Sequence, residues 1–374
     1  MPSNSAGLKV DFTDRKRSLG LVEAYARVAP FDGVLGLDDS TVEFTAAVAA
    51  RLGLPSNPPE AVRISQRKDK AREVQRAAGL RSPSFRSLTL ESHCQISVPN
   101  GIDYPCVAKP VSLSASRGVI RANSPKELMS ALSRIQRILD SCGAQHSREV
   151  IIEDYIPGEE YAVDGLLEHG HWRTLAIFAK PDALEGPYFE ETIYVTSRSL
   201  KFAEKSAIEA SVISACSAYG LFHGPVHAEC RVNSEGVWLI ELATRTIGGK
   251  CSRILQFGTG HTLEEIVILN AIGHTFHPEM SSNVAGVMMI PVPEAGVLRR
   301  VEGAETARRI RHIQGVEIDI RPGQLLVPWP EGSSYPGFIF SRAAKTTEVI
   351  DALRSAHRAL NFIVAPELPL VISC

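Results

Sequence analysis

Two glutamates that a hairpin would set face to face are the first feature of this sequence with the makings of chemistry. Residues 227–249 read HAECRVNSEGVWLIELATRTIGG. If Ser234, Glu235 and Gly236 form a three-residue loop with Gly236 at its left-handed position, Asn233 pairs with Val237 and Glu229 lies opposite Glu241. Ala228 then meets Leu242, Cys230 meets Ile240 and Val232 meets Trp238, which makes one face apolar and leaves His227, Glu229, Arg231, Leu239 and Glu241 on the other. Like charges directly opposed on a sheet are destabilising, so the carboxylates need a cation or a shared proton. A divalent ion meets that need, and Mg²⁺ commonly combines one or two carboxylates with substrate phosphates. Arg231, diagonal to both, offers the alternative of a surface ion-pair cluster without a metal.

Three further stretches could bind a nucleotide. A small-residue loop, Ser112-Leu113-Ser114-Ala115-Ser116-Arg117-Gly118, can bring backbone N–H groups and hydroxyls close to phosphate oxygens. Lys109, at the end of the apolar strand before it, could add a point charge to the same phosphates. Glu153-Asp154-Tyr155-Ile156 ends a buried-looking strand and suits an adenine edge, with Glu160 beyond it for a ribose. Each also has a plain reading, as a hairpin tip, a solvent-facing lysine and a solvated strand end. P-loop, full dinucleotide-binding, zincin and esterase signatures are absent from the sequence.

The elements that must position these residues read as a mixture of α/β and α+β units. Helices are expected near 21–29, 41–52 and 70–78, with a strand at 33–37 between the first two. Asp38-Asp39-Ser40 cap the second helix, and Gly53 with Pro55 stop it. Strands follow at 105–109 and 119–120, then a helix opened by Ser124-Pro125, a strand over 149–156 and a hairpin over 160–180 turning at His169-Gly170. A helix near 203–219 precedes the central hairpin, and a last α+β unit has strands at 284–291 and 336–340 and a helix at 347–360.

The chain has 374 residues, 44% of them hydrophobic, which is enough for two or three globular domains. Lys+Arg 40 against Asp+Glu 42, with no run of one sign, argues against a nucleic-acid or polybasic membrane surface. The seven cysteines have no metal-binding or framework spacing and read as reduced thiols. With no apolar leader and no spanning segment, a cytoplasmic protein is expected.

Together and in this order, the stretches resemble the ATP-grasp superfamily, in which the nucleotide lies between two α+β subdomains. The matching residues are Asp69-Lys70, the strand at 104–109 with its Ser/Gly loop, Val150-Ile151-Ile152-Glu153-Asp154-Tyr155-Ile156 through Glu160, and Glu241-Leu242-Ala243-Thr244-Arg245. The chain is more closely similar to the carboxylate–amine ligase branch that includes L-amino acid ligases. That likeness rests on Leu52-Gly53-Leu54-Pro55, Lys180-Pro181-Asp182, Gly186 through Thr192, Arg245-Thr246-Ile247-Gly248-Gly249, Gly286 through Pro291 and Pro336-Gly337-Phe338.

The resemblance implies an ATP-grasp fold with a shortened N-terminal α/β unit (1–82), an ATP-grasp unit (83–280, with a lid at about 83–156) and a small C-terminal α+β unit (281–374). It implies that Lys70, Lys109 and the loop residues Ser114, Ser116, Arg117 and Gly118 bind ATP phosphates, that Glu153 with the main chain at Asp154 and Ile156 holds adenine, and that Glu160 holds ribose. Glu229 and Glu241 would hold Mg²⁺, with Mn²⁺ as a substitute, while Arg245, Gly248 and Gly249 stabilise the acyl phosphate and later oxyanion. The implied reaction joins a carboxylate to an amine, both amino acids by expectation, with no nucleic acid or membrane partner and room for a homodimer. Ala243 stands where many relatives carry an asparagine ligand. A ligase with another acceptor and a nucleotide-binding pseudoenzyme therefore stay open beside this reading.

Overall fold

The computed structural model describes residues 7–92, 94–143, 147–197, 200–255, 257, 260–274 and 283–367. Cys374 and the expected unit boundary at 280/281 lie outside them. The N-terminal unit is built from helices α1 (Arg15–Val28), α2 (Val42–Leu52), α3 (Pro59–Gln66) and α4 (Lys68–Ala77). The Asp38 carboxylate accepts from the Ser40 and Thr41 N–H groups before α2, and Gly53 closes that helix at φ 69°. The strand expected at 33–37 does not form, because the unit offers it no strand to pair with. Instead the stretch lies flat on its neighbours: a Cβ at Gly33 would meet the Ala271 carbonyl oxygen at 2.8 Å, and one at Gly36 the Val42 Cα at 2.8 Å.

The lid follows as β1 (Phe85–Thr89), β2 (Cys106–Pro110), β3 (Ile120–Ala122), α5 (Pro125–Ser141) and β4 (Glu149–Asp154). Its strands form an antiparallel sheet in the order β1-β4-β2-β3. Ser124 accepts from Glu127 N–H to start α5, which buries Leu128, Leu132, Ile135 and Leu139 against that sheet.

The larger body contains β5 (Glu159–Glu168), β6 (His171–Ala179), β7 (Ile193–Thr196), α6 (Phe202–Tyr219), β8 (Gly224–Asn233), β9 (Gly236–Ala243) and α7 (Leu263–Ala271). The C-terminal unit adds β10 (Val284–Met289), β11 (Gly296–Glu302), α8 (Ala304–Arg308), β12 (Ile313–Ile318), β13 (Leu325–Leu326), β14 (Gly337–Ala343), α9 (Thr346–Ala359) and β15 (Asn361–Ala365). One eight-stranded sheet, ordered β12-β14-β10-β7-β6-β5-β8-β9, runs through both. The β5–β6 hairpin turns at His169 and Gly170 as the sequence predicts, both at positive φ (51° and 82°).

The central hairpin reaches the expected pairing of Glu229 with Glu241 by another route. Its turn has two residues, not three: Asn233 pairs with Gly236, Val232 with Val237, Arg231 with Trp238 and Cys230 with Leu239. The Asn233 side chain accepts from Glu235 N–H at 2.9 Å and so shortens the turn. A bulge then absorbs Ile240 between Leu239 and Glu241 and restores the register. The bulge also exchanges two side chains, since Leu239 is buried in the core and Ile240 lines the cleft.

Candidate active site

The lid contributes one wall of a narrow cleft, and its charged groups are fixed from behind. Lys109 Nζ lies 2.6 Å from Glu153 Oε2, and Arg72 of α4 bonds Glu153 Oε1 at 2.8 Å while donating to the Ile240 carbonyl at 2.6 Å. Burial opposes the charge on Glu153, but Arg72 and then Lys109 outweigh it and hold the carboxyl below its ordinary value. Burial likewise pushes the Lys109 ammonium down, with Glu153 opposing. Glu153 lines the cleft, yet its oxygens serve Arg72 and Lys109, so it acts as the anchor of Lys109 and not as an open acceptor for adenine. Of the main-chain groups expected beside it, the Asp154 N–H donates to Ser84 O and the Ile156 carbonyl accepts from Arg231.

The lysine expected from α4 is displaced by two residues. Lys70 is half exposed and pairs with Glu73 at 2.9 Å, in an outer groove. Lys68 enters the cleft instead: Nζ donates to the Leu113 carbonyl at 2.9 Å and lies 3.8 Å from Glu241. α4 begins at Lys68, and two residues are about 200° apart around a helix, so Lys68 and Lys70 point to opposite sides of it. Ser114 and Ser116 line the cleft, whereas Arg117 faces the outer groove and Gly118 is bonded to Pro330.

The opposite wall comes from β5, β8 and β9, and behind it, at the end of β6, lies Lys180, a residue that in the sequence is only part of a family motif. Lys180 Nζ, 3% exposed, lies 2.7 Å from Glu160, 2.8 Å from Glu191 and 2.7 Å from Glu229, one carboxylate for each of its three donors. Burial opposes its charge, and the three carboxylates raise its pKa well above the ordinary value. Carboxylate oxygens of this trio lie within 4.8 Å of one another, as metal ligands could, but the ammonium already satisfies them. Arg231 Nε holds the second oxygen of Glu160 at 2.8 Å, so the surface cluster envisaged around Glu229 and Glu241 is instead an Arg231–Glu160 pair.

Glu229 and Glu241 therefore differ in setting. Burial would raise the Glu229 pKa, but Lys180 and then His227 draw it well below the usual range. His227 bonds Asp164 at 3.0 Å and sits 3.7 Å from Glu229; against the cost of burial these carboxylates raise it to about 9. Glu241 keeps a third of its side chain exposed at the mouth of the cleft. Ala243, opposite His227, offers no donor atom. Two carboxylates from paired positions, one of them open, suit an oxygen-loving divalent ion whose remaining ligands come from substrate.

Arg245, Gly248 and Gly249 line a second chamber, of about 310 Å³, which shares Ser114, Ser116, Glu229 and Glu241 with the cleft. Arg245 is gripped by both oxygens of Asp39 at 2.8 and 2.9 Å, and it donates to Thr246 O at 3.0 Å. Asp39, expected only at a helix cap, brings the N-terminal unit to Arg245, as Lys68 and Arg72 bring it to the cleft. Gly249, at φ 62°, leaves no room for a Cβ, which would lie 2.7 Å from Met289 Sδ.

Comparison with known proteins bears on this geometry. The ATP-grasp N-terminal domain matches residues 4–56, the ATP-grasp domain residues 102–254, and the L-amino acid ligase C-terminal domain 2 residues 288–365. A solved L-amino acid ligase from Bacillus licheniformis superposes with a TM-score of 0.77 at 28% identity, over 95% of this chain and 86% of that one. Dapdiamide A synthase of Enterobacter agglomerans is 27% identical over 42% of this chain, and carnosine synthase 1 of Gallus gallus 26% identical over 72%. The chain spans 37% and 30%, about a third, of the length of those two relatives. With N-terminal, central and ligase-type C-terminal parts matched in order on one superposable fold, the chain belongs to the ATP-grasp superfamily, in its carboxylate–amine ligase branch.

Proposed function

We propose that the protein is an ATP- and Mg²⁺-dependent ligase that forms an amide, or a dipeptide when both substrates are amino acids, through an acyl phosphate. The observation that carries this reading is the meeting of two chambers at Glu229 and Glu241, with lysines on one side and Arg245 on the other. The names of the relatives, an L-amino acid ligase and two synthases, of dapdiamide A and of carnosine, point the same way.

On this reading Lys68, Lys109, Ser114 and Ser116 hold the terminal phosphates, and the Asp154 carbonyl with the Ile156 amide takes the adenine edge. Glu160 accepts from ribose with lone pairs that Lys180 and Arg231 leave over. Glu229 and Glu241 would hold Mg²⁺, which neutralises charge on the transferring phosphate; Mn²⁺ accepts the same donors. A substrate carboxylate oxygen attacks the γ-phosphorus and the bond to ADP breaks. The amine, having shed a proton, then attacks the acyl carbon and inorganic phosphate leaves. Arg245 and the backbone at Gly248 and Gly249 face the oxyanion that develops. Such chemistry needs positioning and charge neutralisation, not a protein nucleophile.

Incubation with ATP, Mg²⁺ and a panel of amino acids and amines should yield amide, ADP and phosphate by mass spectrometry. AMP as product would refute the acyl-phosphate route, and bound ATP with no amide from any pair would favour a nucleotide-binding pseudoenzyme. The two lysines of α4 give a sharper contrast. Lys68→Ala should weaken ATP binding by about 1.5–3 kcal/mol, the worth of a charge-assisted hydrogen bond. Lys70→Ala should change it by less than about 0.5 kcal/mol, as for an exposed pair. Equal effects in calorimetry would contradict the placement of Lys68. Lys109→Met should lose ATP affinity and also destabilise the fold, because it leaves buried Glu153 with Arg72 alone.

A further inference from the structure

The loop between β2 and β3 is shaped from outside the lid. Ala115 and Ser116 hold left-handed backbone, at φ 53° and 54°, and Gly118 follows at 73°. For residues with a Cβ that conformation is unfavourable and persists where surroundings impose it. Here three consecutive residues of the C-terminal unit impose it. Trp329 Nε1 donates to the Ala115 carbonyl at 2.9 Å, Gly118 N–H donates to the Pro330 carbonyl at 2.9 Å, and Arg117 Nε donates to the Glu331 carbonyl at 3.0 Å. This gripping segment is itself anchored. Arg134 of α5 holds the Glu331 carboxylate at 2.6 and 2.7 Å and lies 4.8 Å over the Tyr188 ring. Trp329 is buried and stacks on Tyr335 with centroids 4.8 Å apart. At the other end of the loop, Lys68 bonds the Leu113 carbonyl.

We infer that Trp329 and Glu331 are positioning residues: through them the C-terminal unit fixes the loop that carries Ser114 and Ser116, and so sets how firmly ATP is held and whether water reaches its terminal phosphate. Neither residue lines the cleft or the second chamber; both act through residues 115–118. The inference rests on the reading of that loop as phosphate-binding. With the clasp broken, Ala115 and Ser116 relax out of the left-handed region, the hydroxyls scatter, and ADP can form by hydrolysis in place of amide synthesis.

The test uses the whole protein with Trp329→Phe, which keeps an aromatic ring for the stack on Tyr335 and loses the N–H, and Glu331→Ala, which releases Arg134. Hydrogen exchange of residues 114–119, measured first without nucleotide, should quicken by roughly tenfold in each variant. The KM for ATP should rise about fivefold while kcat falls less, as expected when hydrogen bonds remote from the reacting atoms are lost. The share of ADP released without amide should increase. The exchanged pair Arg134→Glu with Glu331→Arg should recover much of the protection, which a merely destabilised fold would not do. Unchanged exchange in both variants would overturn the clasp. Faster exchange with unchanged KM and coupling would overturn its positioning role. If the wild-type protein makes no amide at all, the proposed reaction falls, while the exchange measurement still decides whether the clasp exists.

Discussion

Replacing Glu241 by alanine should abolish Mg²⁺-dependent turnover, by at least about a hundredfold, and leave the melting temperature almost unchanged. The two halves of that expectation have separate causes. Glu241 is one of two carboxylates in directly paired positions, and its loss removes half of the protein donors available to the ion. Its side chain is also a third exposed, and among the described residues its ion-pair partner is the Lys68 ammonium at 3.8 Å, so little of the fold depends on it. Glu229→Gln should behave differently. It removes the other donor and leaves buried Lys180 with two carboxylates and His227 with Asp164 alone, at a cost of roughly 1–3 kcal/mol in stability. ADP release across a Mg²⁺ titration, run beside thermal melts, checks both variants. Full Mg²⁺-dependent activity in Glu241→Ala would remove the hairpin from the metal site.

The second large effect is expected at Arg245. Arg245→Lys should slow amide formation by on the order of a hundredfold to a thousandfold, the worth of about 2.7–4 kcal/mol for an oxyanion donor, while ATP binds as before. A lysine supplies a point charge but not the planar fork, and the fork is what Asp39 holds with paired contacts at 2.8 and 2.9 Å. Burial opposes the charge on Arg245 and Asp39 outweighs it, so the guanidinium stays charged where the oxyanion would form. Asp39→Asn should consequently lower kcat without moving the KM for ATP. A raised KM for ATP with normal kcat in Arg245→Lys would place that residue in the nucleotide cleft instead.

How far the sequence carried depends on whether a contact is local. The pairing of Glu229 with Glu241 was legible because the hairpin is closed by its own turn, yet the turn length and the Ile240 bulge were misjudged and happened to cancel. Alternation of side chains could not show that, since Leu239 and Ile240 are both apolar. The resemblance points to Lys70, at a helix start placed two residues late; the helix begins at Lys68, which enters the cleft while Lys70 faces the outer groove. Lys180 was visible only as part of a motif. Its function needs Glu160, Glu191 and Glu229, which meet it only once β7, β6, β5 and β8 are laid side by side. Asp39 on Arg245 and Trp329 on Ala115 are longer-range still, and no periodicity marks them. The strand expected at 33–37 shows the converse failure: an apolar run with good local character stays irregular when no edge is there to receive it.

The passage of one sheet through both the central and C-terminal units bears on how such a protein can be taken apart. β10 pairs with β7 from Gly286 opposite Val195 to Met288 opposite Ile193, and β14 and β12 continue outward from there. Excision of the chain from β10 onward would strip Ile193, Tyr194 and Val195, all nearly inaccessible in the intact protein, of their neighbour on that side and lay bare a short, wholly apolar edge. Edges of that kind recruit other chains. A truncated version should therefore precipitate or oligomerise instead of surviving as a smaller enzyme. Chimeras that borrow a different terminal segment to alter substrate choice would have to reproduce the β7 edge register first, and only the loops beyond it would be free to vary.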